Sequence, residues 1–269
     1  GARLVVTTIP GKRPALAQGV RLTAQPFVAL VDSDTVWSPG VRAAALVSFA
    51  DPAVGGVATR QSVLEVQTLP QRIFNSQLAI RYWEELPFMV ARGGTVITCI
   101  SGRTAFYRRT AVWPLLPALV NETFGGQPVV SGDDKRLTYL LEAAGLKVAF
   151  QQTAHVFTPG MKTWGVFLKQ RLRWTRNSWR ADLRTLTQPW VWRHPRFALY
   201  LLDRALQPFA QTLAPFFLIV GVWFQQWLVV LLVVGWWHIG RAIRMWPVLR
   251  HHPRELWRLP MYVVINFFI

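Results

Sequence analysis

The stretch LQPFAQTLAPFFLIVGVWFQQWLVVLLVVGWWHIG, residues 206–240, contains no Asp, Glu, Lys or Arg and constrains the fold more than any other feature. As one straight helix it would be roughly 50 Å long, whereas the hydrocarbon layer of a bilayer is about 30 Å thick. We therefore divide it at the polar pair Gln225-Gln226 into two membrane spans, 206–224 and 227–240. The second is shorter than the ~20 apolar residues of a typical crossing, so it requires tilting or local thinning of the bilayer.

Arginines flank this apolar stretch on both sides. They are Arg193, Arg196 and Arg204 before it, and Arg241, Arg244, Arg250, Arg254 and Arg258 after it. Because cytoplasmic loops of membrane proteins are enriched in Lys and Arg, this pattern assigns both flanks to the cytoplasm. A third apolar run begins near Leu259. We therefore predict a multi-pass protein of the plasma membrane, with a transmembrane region over residues 205–269 and the soluble part in the cytoplasm.

The strong positive charge has two explanations, a nucleic-acid partner or an anionic membrane surface. The chain carries 30 Lys and Arg against 13 Asp and Glu, a net charge of +17, together with 14 Trp and 16 Phe. Trp and Arg together are typical of the water–lipid interface, and a soluble nucleic-acid binder would not contain such long apolar runs. We therefore expect membrane lipids and no nucleic acid as partners. The single cysteine, Cys99, excludes an internal disulfide framework.

The segment Lys162–Leu186 combines seven Lys or Arg with regularly spaced aromatic and aliphatic residues. In a helix, this spacing gives an apolar stripe flanked by cations, which suits a helix that lies on a membrane surface. We therefore assign residues 161–204 to interfacial amphipathic helices. The chain begins at Gly1 with no signal peptide and ends within an apolar run, so we interpret it as a fragment of a longer protein.

The N-terminal part alternates between strand and helix patterns. The predicted strands are residues 2–10, 27–31 and 54–65, and the predicted helices are residues 14–24 and 41–50. Ser38 and Pro39 occupy the positions expected for the cap and first residue of the second helix. This alternation predicts an α/β sheet, and in open α/β sheets ligands bind outside the carboxyl ends of the strands.

Two aspartates, Asp32 and Asp34, directly follow the apolar run FVALV. One interpretation is a simple turn, because Asp and Ser side chains readily bond the backbone that follows them. The other is a metal site, because carboxylate oxygens are the ligands that hard divalent cations prefer. The local sequence leaves both interpretations open.

Three further polar clusters each have a local structural explanation. ITCISGRTAFYRR, residues 97–109, predicts two strands or one bent strand around Ser101-Gly102. SGDDKRLTYLLEAAGLKV begins a helix at which Asp133 and Asp134 would cap free N–H groups, and Gly145 ends it. QRLRW, residues 170–174, belongs to the basic helix.

In chain order, however, DSD after an apolar strand, ITCISG, SGDD and QRLRW before the spans resemble the membrane-embedded family 2 glycosyltransferases. The closest resemblance is to the hyaluronan synthase and chitin synthase branch, relatives of cellulose synthase. It extends from about Gly11 to Arg180 and includes GKRPAL and FLKQRLRW. It implies an α/β domain of the GT-A type, a nucleotide-diphospho-sugar transferase fold, over residues 1–160. The first strand–helix unit, which would hold the uridine, would be missing.

The resemblance implies a role for each acidic and basic motif. Asp32 and Asp34 would bind Mg²⁺ or Mn²⁺, with Asp34 in direct contact and Asp32 closer to the nucleotide. Lys12 and Arg13 would face the donor diphosphate, since both neutralise phosphate. Asp134 would be the base that accepts the proton of the acceptor hydroxyl.

The resemblance also implies further substrate contacts. They are Cys99, Ser101, Gly102, Asp133, Gln170, Arg173 and Trp174. The indole of Trp174 would stack on a sugar ring, because aromatic faces present apolar area. A buried structural thiol remains an equal alternative for Cys99. Arg103 departs from the branch, which has proline after its Ser-Gly pair.

The implied activity is inverting, metal-dependent transfer from UDP-GlcNAc, alone or alternating with UDP-glucuronate, into a β-linked polysaccharide secreted across the membrane. The implied partners are thus a UDP-sugar donor and a growing polysaccharide or lipid acceptor. A first alternative is a non-processive transferase that adds one sugar to a lipid. A second is a membrane scaffold without activity, but buried acidic residues are costly to maintain without a metal or a proton.

Overall fold

The computed structural model describes residues 4–266. It divides into two compact units, of which the first comprises the described residues up to Leu64 together with Leu86–Pro159. The second comprises Glu65–Glu85 and the described residues from Gly160 onward.

In the described part of the chain, helices and strands are interspersed as far as Thr158, and only helices follow. They are α1 (Lys12–Leu22), β1 (Phe27–Val31), β2 (Val36–Trp37), α2 (Val41–Val47), β3 (Val54–Val63), α3 (Leu69–Ile80), α4 (Leu86–Val90), β4 (Thr104–Arg108), α5 (Arg109–Val112), α6 (Leu116–Val120), β5 (Thr123–Phe124), β6 (Gln127–Pro128), α7 (Asp133–Ala143), β7 (Lys147–Thr158), α8 (Trp164–Leu186), α9 (Pro195–Trp223), α10 (Trp227–Arg244), α11 (Trp246–Leu249) and α12 (Leu259–Asn266). Short 3₁₀ or π turns occupy Ser48–Ala50, Arg81–Glu85, Ala91–Gly93, Trp113–Leu115, Pro189–Arg193 and Pro253–Arg258.

The first unit is built on a five-stranded mixed sheet in the order β1-β4-β3-β7-β2. β4 runs antiparallel to both β1 and β3, while β3 and β7 are parallel. β1, β3 and β7 therefore point the same way, and their carboxyl ends share one edge of the sheet. This arrangement confirms the predicted α/β sheet and brings the residues that follow β1 to the edge where ligands bind in such sheets.

Helices cover both faces of this sheet. On one face α2 packs through Val41 and Ala45 onto Val57 and Phe106, in a buried cluster. On the other face Leu141 of α7 and Ile100 approach Gly56 of β3, where an added Cβ would lie 3.2 Å from Cδ1 of Leu141 and 2.5 Å from Cδ1 of Ile100. The absence of a side chain at this position is therefore a condition of the close packing.

Two local predictions differ from the structure. Residues 4–9 form no strand and pair with no described strand, and the first residues of that predicted strand lie outside the described part. The second predicted helix begins at Val41, but Gly40, with a φ of 80°, precedes it, so Ser38 and Pro39 are not its cap and first residue. The Ser38 hydroxyl donates to the carbonyl of His155 at 2.7 Å, so it does not cap the helix.

The second unit contains the long apolar helices. α9 and α10 are long and apolar enough to cross a membrane, and only 6% and 0% of their most apolar windows are buried. The chain breaks between them at Gln225 and Gln226, as predicted, with a φ of 53° at Gln225. α12 begins at Leu259, where the third apolar run was expected, and the last three residues of that run lie outside the described part.

The basic segment forms one helix, α8, as predicted. Trp164, Leu172 and Trp179 on this helix are exposed, whereas Phe167 and Asp182 are buried. The helix therefore combines an apolar exposed surface with cations, the composition expected of an interfacial helix.

Candidate active site

The carboxyl edge of the sheet in the first unit holds a pocket that is open to solvent. Five of the residues predicted from the sequence line it, namely Lys12, Asp32, Gly102, Asp133 and Asp134. The remaining lining is mainly apolar and includes Leu16, Leu30 and Leu137. The fold thus brings together residues that are more than 120 positions apart in the sequence, around one concave surface.

Lys12 is the cation of this pocket. It is the first residue of α1 and follows Gly11, whose φ of 115° favours glycine. Its Nζ lies 3.1 Å from Oδ1 of Asp32 and 3.3 Å from Oδ2 of Asp133. Lys12 therefore bridges the end of β1 and the start of α7.

The DSD segment is both a turn and a pair of available carboxylates. The Asp32 N–H donates to the carbonyl of Arg103 at 3.1 Å, which extends the β1–β4 ladder by one residue. The Thr35 N–H donates to the carbonyl of Asp32 at 3.1 Å and closes the turn. The Asp32 side chain is partly exposed and Asp34 is exposed. The segment can therefore be a turn and a metal site at the same time.

Asp133 and Asp134 occupy the first turn of α7, which follows Gly132 with a φ of 79°. Oδ1 of Asp134 accepts the N–H of Lys135 at 2.8 Å, and Oδ2 accepts the N–H of Gly102 at 3.3 Å. Asp134 thus accepts one free N–H of the first turn, but neither aspartate is the cap residue, because that position is Gly132 and has no side-chain cap bond. Two backbone donors hold the Asp134 carboxylate at the pocket.

One face of α7 holds the segment 97–102 in place through three side chains. The bonds run from the N–H of Gly102 to Asp134 Oδ2 (3.3 Å), from Ile100 to Thr138 Oγ1 (2.9 Å) and from Ile97 to Glu142 Oε1 (2.7 Å). A strand was expected here, but β4 begins only at Thr104. Sequence reasoning missed Thr138 and Glu142, although their spacing of four and eight residues from Asp134 marks one helical face.

Burial and neighbouring charges shift the pKa values of the site. Burial, and secondly the charge of Asp134, raise the pKa of Asp133 above the usual range of a carboxyl group. Burial acts to lower the pKa of Lys12, but Asp133 and Asp32 outweigh it and leave that pKa raised. Lys12 is therefore charged at neutral pH, and its charge acts to lower the pKa of Asp133.

The structure differs from the expectation for Arg13. Its side chain is only 2% exposed, and Nη2 lies 2.7 Å from Oε2 of the buried Glu122. Successive helical residues point about 100° apart, so Lys12 faces the pocket while Arg13 faces the interior. Because its guanidinium is enclosed, we leave Arg13 out of the proposed donor contacts.

The predicted acceptor loop lies on the segment 97–102. Gly102 lines the pocket, whereas Cys99 and Ser101 are half-buried on the same segment and are not among the lining residues. Nη1 of Arg103 donates to Oε1 of Gln61 at 2.8 Å and is 3.5 Å from Oγ of Ser101. Arg103, which stands where the hyaluronan and chitin synthase branch has proline, therefore connects the segment 97–102 to β3.

The QRLRW residues lie on α8 in the second unit. Arg173 is exposed and Trp174 is half-buried, with its ring 5.8 Å from that of Phe74. Oε1 of Gln170 is buried and has no hydrogen-bond partner among the described residues. The motif thus has one exposed cation, one packed aromatic ring and one available amide oxygen.

The two residues expected to bind a metal ion are Asp32, which lines the pocket, and Asp34, which is exposed and is not among the lining residues. Within residues 4–266 no group of three or more His, Cys, Asp or Glu side chains could hold one. Asp32 and Asp34 nevertheless offer two carboxylates from one turn. Mg²⁺ is commonly bound by one or two carboxylates together with substrate phosphates, and seldom by a cage of protein ligands alone. The donor set therefore fits a cation that is completed by a diphosphate.

Comparison with known proteins identifies relatives of the chain. An N-acetylglucosaminyltransferase of Rhizobium leguminosarum bv. viciae is 32% identical over 177 residues, which are 65% of this chain and 41% of the relative. One from Azorhizobium caulinodans is 32% identical over 173 residues, 63% of this chain and 43% of the relative. A type 2 glycosyltransferase of Pyricularia oryzae is 24% identical over 99% of this chain and 58% of its own length. The chain thus spans about half the length of these relatives.

A solved structure shares the fold. The mannosyltransferase PcManGT from Pyrobaculum calidifontis, in complex with GDP-Man and Mn²⁺, superposes with a TM-score of 0.58 at 17% identity, covering 97% of this chain and 67% of PcManGT. This similarity confirms the predicted GT-A-type fold. The profile of a family described as "Glycosyltransferase like family 2" matches residues 2–177. Since this match covers well over half of the sequence, the chain belongs to the glycosyltransferase like family 2.

Proposed function

We propose that the chain is the catalytic and membrane-anchoring part of an inverting glycosyltransferase that uses a nucleoside-diphosphate sugar. The observation that carries this proposal is the convergence of Lys12, Asp32, Asp133 and Asp134 on one pocket at the carboxyl edge of the sheet. A cation for a diphosphate, carboxylates for a metal and a helix-held carboxylate for a proton are the groups that sugar transfer requires.

The donor diphosphate would lie near Lys12, whose pKa is raised and whose charge is therefore retained at neutral pH. Asp32 and Asp34 would hold Mg²⁺ or Mn²⁺, which stabilises the negative charge that develops on the diphosphate. The relative PcManGT, in complex with GDP-Man and Mn²⁺, supports this requirement. Asp32 would hold Lys12 in place until the donor binds, because the two groups are in contact.

Transfer would proceed by a single displacement. The oxygen of an acceptor hydroxyl forms a bond to the anomeric carbon, while the bond from that carbon to the diphosphate oxygen breaks and its electron pair leaves with the nucleotide. The hydroxyl proton moves to the carboxylate of Asp134, which the N–H groups of Gly102 and Lys135 orient. Because these two donors already hold the carboxylate in place, it has to move little when it accepts the proton.

We further propose UDP-GlcNAc as a donor, alone or with UDP-glucuronate, because several relatives are named N-acetylglucosaminyltransferases. The product would be a β-linked polysaccharide that leaves through the membrane region. Ser101 and Cys99 would contact the acceptor, and Gln170, Arg173 and Trp174 would contact the acceptor or the pyrophosphate. The exposed apolar surfaces of α9 and α10 support a protein that crosses the membrane more than once. The arginines on both flanks support a catalytic part in the cytoplasm, and the membrane would be the plasma membrane.

The test uses the full-length protein in nanodiscs with Mg²⁺ or Mn²⁺ and radiolabelled UDP-GlcNAc, with and without UDP-glucuronate. The product is sized by gel filtration, and the Asp134→Asn variant serves as the inactive control. We expect a polymer whose length grows with donor supply.

The size of the product separates the alternatives. A polymer that requires both donors indicates a hyaluronan-type product, and one from UDP-GlcNAc alone indicates a chitin-type product. If the product is a lipid that carries a single sugar, the protein is a non-processive transferase and not a polymerase. If the protein consumes none of the nucleotide sugars supplied, the proposed activity is overturned and the scaffold alternative remains.

A further inference from the structure

The buried cation Arg13 is not among the lining residues of the pocket, yet it has more polar partners than the adjacent Lys12. Its Nη2 lies 2.7 Å from Oε2 of Glu122 and donates to the carbonyl of Ser131 at 3.0 Å. Its Nη1 donates to the carbonyl of Leu119 at 3.0 Å. One guanidinium therefore holds three acceptors from separate points of the chain.

These acceptors join the end of α6, the β5–β6 hairpin and the approach to α7. Glu122 lies between α6 and the hairpin, and its carbonyl accepts the N–H of Val129 at 2.9 Å. Nε of Arg136, on α7, is 3.6 Å from Oε1 of Glu122. Ser131 is two residues before Asp133 and is followed by Gly132 in the left-handed region. The bonds of Arg13 thus end at the turn from which the catalytic helix begins.

We propose that Arg13 is a positioning residue, which holds the first turn of α7 so that the base Asp134 keeps its place relative to Lys12. This inference rests on the proposed sugar transfer. The two adjacent residues of α1 then divide the work: Lys12 contacts the pocket carboxylates, and Arg13 anchors the loop that carries Asp134. Only arginine suits the second task, because its planar fork serves several acceptors at once while remaining charged.

The test is the Arg13→Lys variant of the full-length protein in nanodiscs. A lysine keeps the charge but cannot reach all three acceptors, so the α7 turn should loosen. We expect kcat to fall roughly 10- to 100-fold, since small displacements of catalytic groups have effects of this size. The dissociation constant for UDP should stay unchanged. Amide hydrogen exchange over residues 129–136 should become faster.

A matched control is Arg108→Lys. Arg108 also clamps three carbonyls, those of Phe49, Asp51 and Val54, but none of them belongs to the pocket. Its variant should lose a similar amount of thermal stability while kcat per folded molecule and exchange over residues 129–136 stay unchanged. If Arg13→Lys does not fold, Glu122→Gln tests the same anchor, because it weakens the ion pair and keeps its shape. Glu122→Gln should lower kcat and accelerate amide hydrogen exchange over residues 129–136, as expected for Arg13→Lys.

The possible results separate this inference from the proposed function. A raised dissociation constant for UDP with unchanged kcat would make Arg13 a donor ligand and overturn the positioning role. Unchanged hydrogen exchange over residues 129–136 would also overturn it. If exchange increases as expected but the wild-type protein transfers no sugar, the anchor stands and the proposed function fails.

Discussion

At the scale of single residues, the role of a side chain depends on its chemical type and on which way it points from the backbone. Adjacent residues of the same charge therefore have different partners. Lys12 and Arg13 are both cations, but one contacts two pocket carboxylates and the other is enclosed with Glu122. Asp133 and Asp134 are both acids, but Asp133 contacts Lys12 while Asp134 accepts backbone N–H groups. The proposed base is therefore the carboxylate without a direct cation partner among the described salt bridges.

Asp134→Asn is expected to abolish transfer and to leave donor binding intact. The amide oxygen can still accept a backbone hydrogen bond, but the amide cannot accept the proton of the acceptor hydroxyl. General-base catalysis contributes roughly 10²- to 10⁴-fold, so the turnover should fall by that amount. Turnover is measured with radiolabelled donor and binding by calorimetry with UDP. Near-normal turnover would remove Asp134 from the role of base.

Asp34→Asn should weaken donor binding only when the metal is present. An amide oxygen is a poorer ligand for a hard cation than a carboxylate, so the metal and donor would be held less tightly together. The measurement is UDP affinity with Mn²⁺ and with EDTA. Asp51→Asn is the matched control, because Asp51 is a partly exposed aspartate that pairs with Lys147 outside the pocket. An equal loss of affinity in EDTA would contradict the metal role.

At the scale of elements, α7 is the part that organises the site. Its positions 134, 138 and 142 accept three backbone N–H groups from the segment 97–102. The proposed catalysis and the position of this segment therefore depend on the same face of α7.

Glu142→Ala should destabilise the first unit, because it leaves the buried N–H of Ile97 without its acceptor. The cost of such an unpaired group is about 1–3 kcal/mol. Glu142→Gln keeps an acceptor oxygen and should cost less. Thermal unfolding in nanodiscs gives the two shifts, and a Gln variant as unstable as the Ala variant would argue against the hydrogen bond as the cause.

The pairing of β3 with β7 predicts a pH dependence of stability. His155, on β7, contacts Arg60 and Ser62 of β3, and burial together with Arg60 lowers its pKa from 6.5 to about 4. Between these values the folded state binds fewer protons than the unfolded state, so stability is lost as the pH falls from 6.5 toward 4. His155→Asn should reduce that loss in thermal unfolding curves. The control variant His251→Asn, at an exposed histidine, should lose stability with falling pH as the wild type does. If His155→Asn also loses as much stability as the wild type, His155 is not the cause of the pH dependence.

At the scale of the whole molecule, contacts between distant segments define the second unit. Residues 65–85 belong to it because Arg72 pairs with Glu255 at 3.1 Å and Glu85 accepts the hydroxyl of Tyr200 at 3.0 Å. The resemblance implies a catalytic domain over residues 1–160, which includes this segment, because contacts with residues far along the chain are not visible in a local motif.

The proposed membrane topology predicts where a cysteine can be labelled. In a full-length variant without its native cysteines, a cysteine at Gln226 should react with a membrane-impermeant maleimide added to intact cells. One at Arg193 should react only after permeabilisation, because the arginine-rich flanks favour the cytoplasm. Labelling of both positions, or of neither, in intact cells would contradict a span between them.

Local patterns in the sequence determined much of this protein. The apolar run with its break at Gln225-Gln226, the α/β alternation and Asp32 at the end of β1 follow from hydrophobicity and periodicity, which act over neighbouring residues. The order of the acidic motifs was sufficient to indicate the family and the groups around the pocket. Asp133 and Asp134 were also predicted at the start of their helix, since helix starts have a local signature.

Only the tertiary structure decided the partners of these groups. The burial of Arg13 depends on Glu122, more than a hundred positions away, and the path of residues 97–102 depends on side chains of α7. A hydrogen bond between distant segments leaves no periodic signal in either of them. The folded chain therefore decides which cation contacts the pocket carboxylates and which is enclosed, because burial is set by what packs around a residue and not by its type.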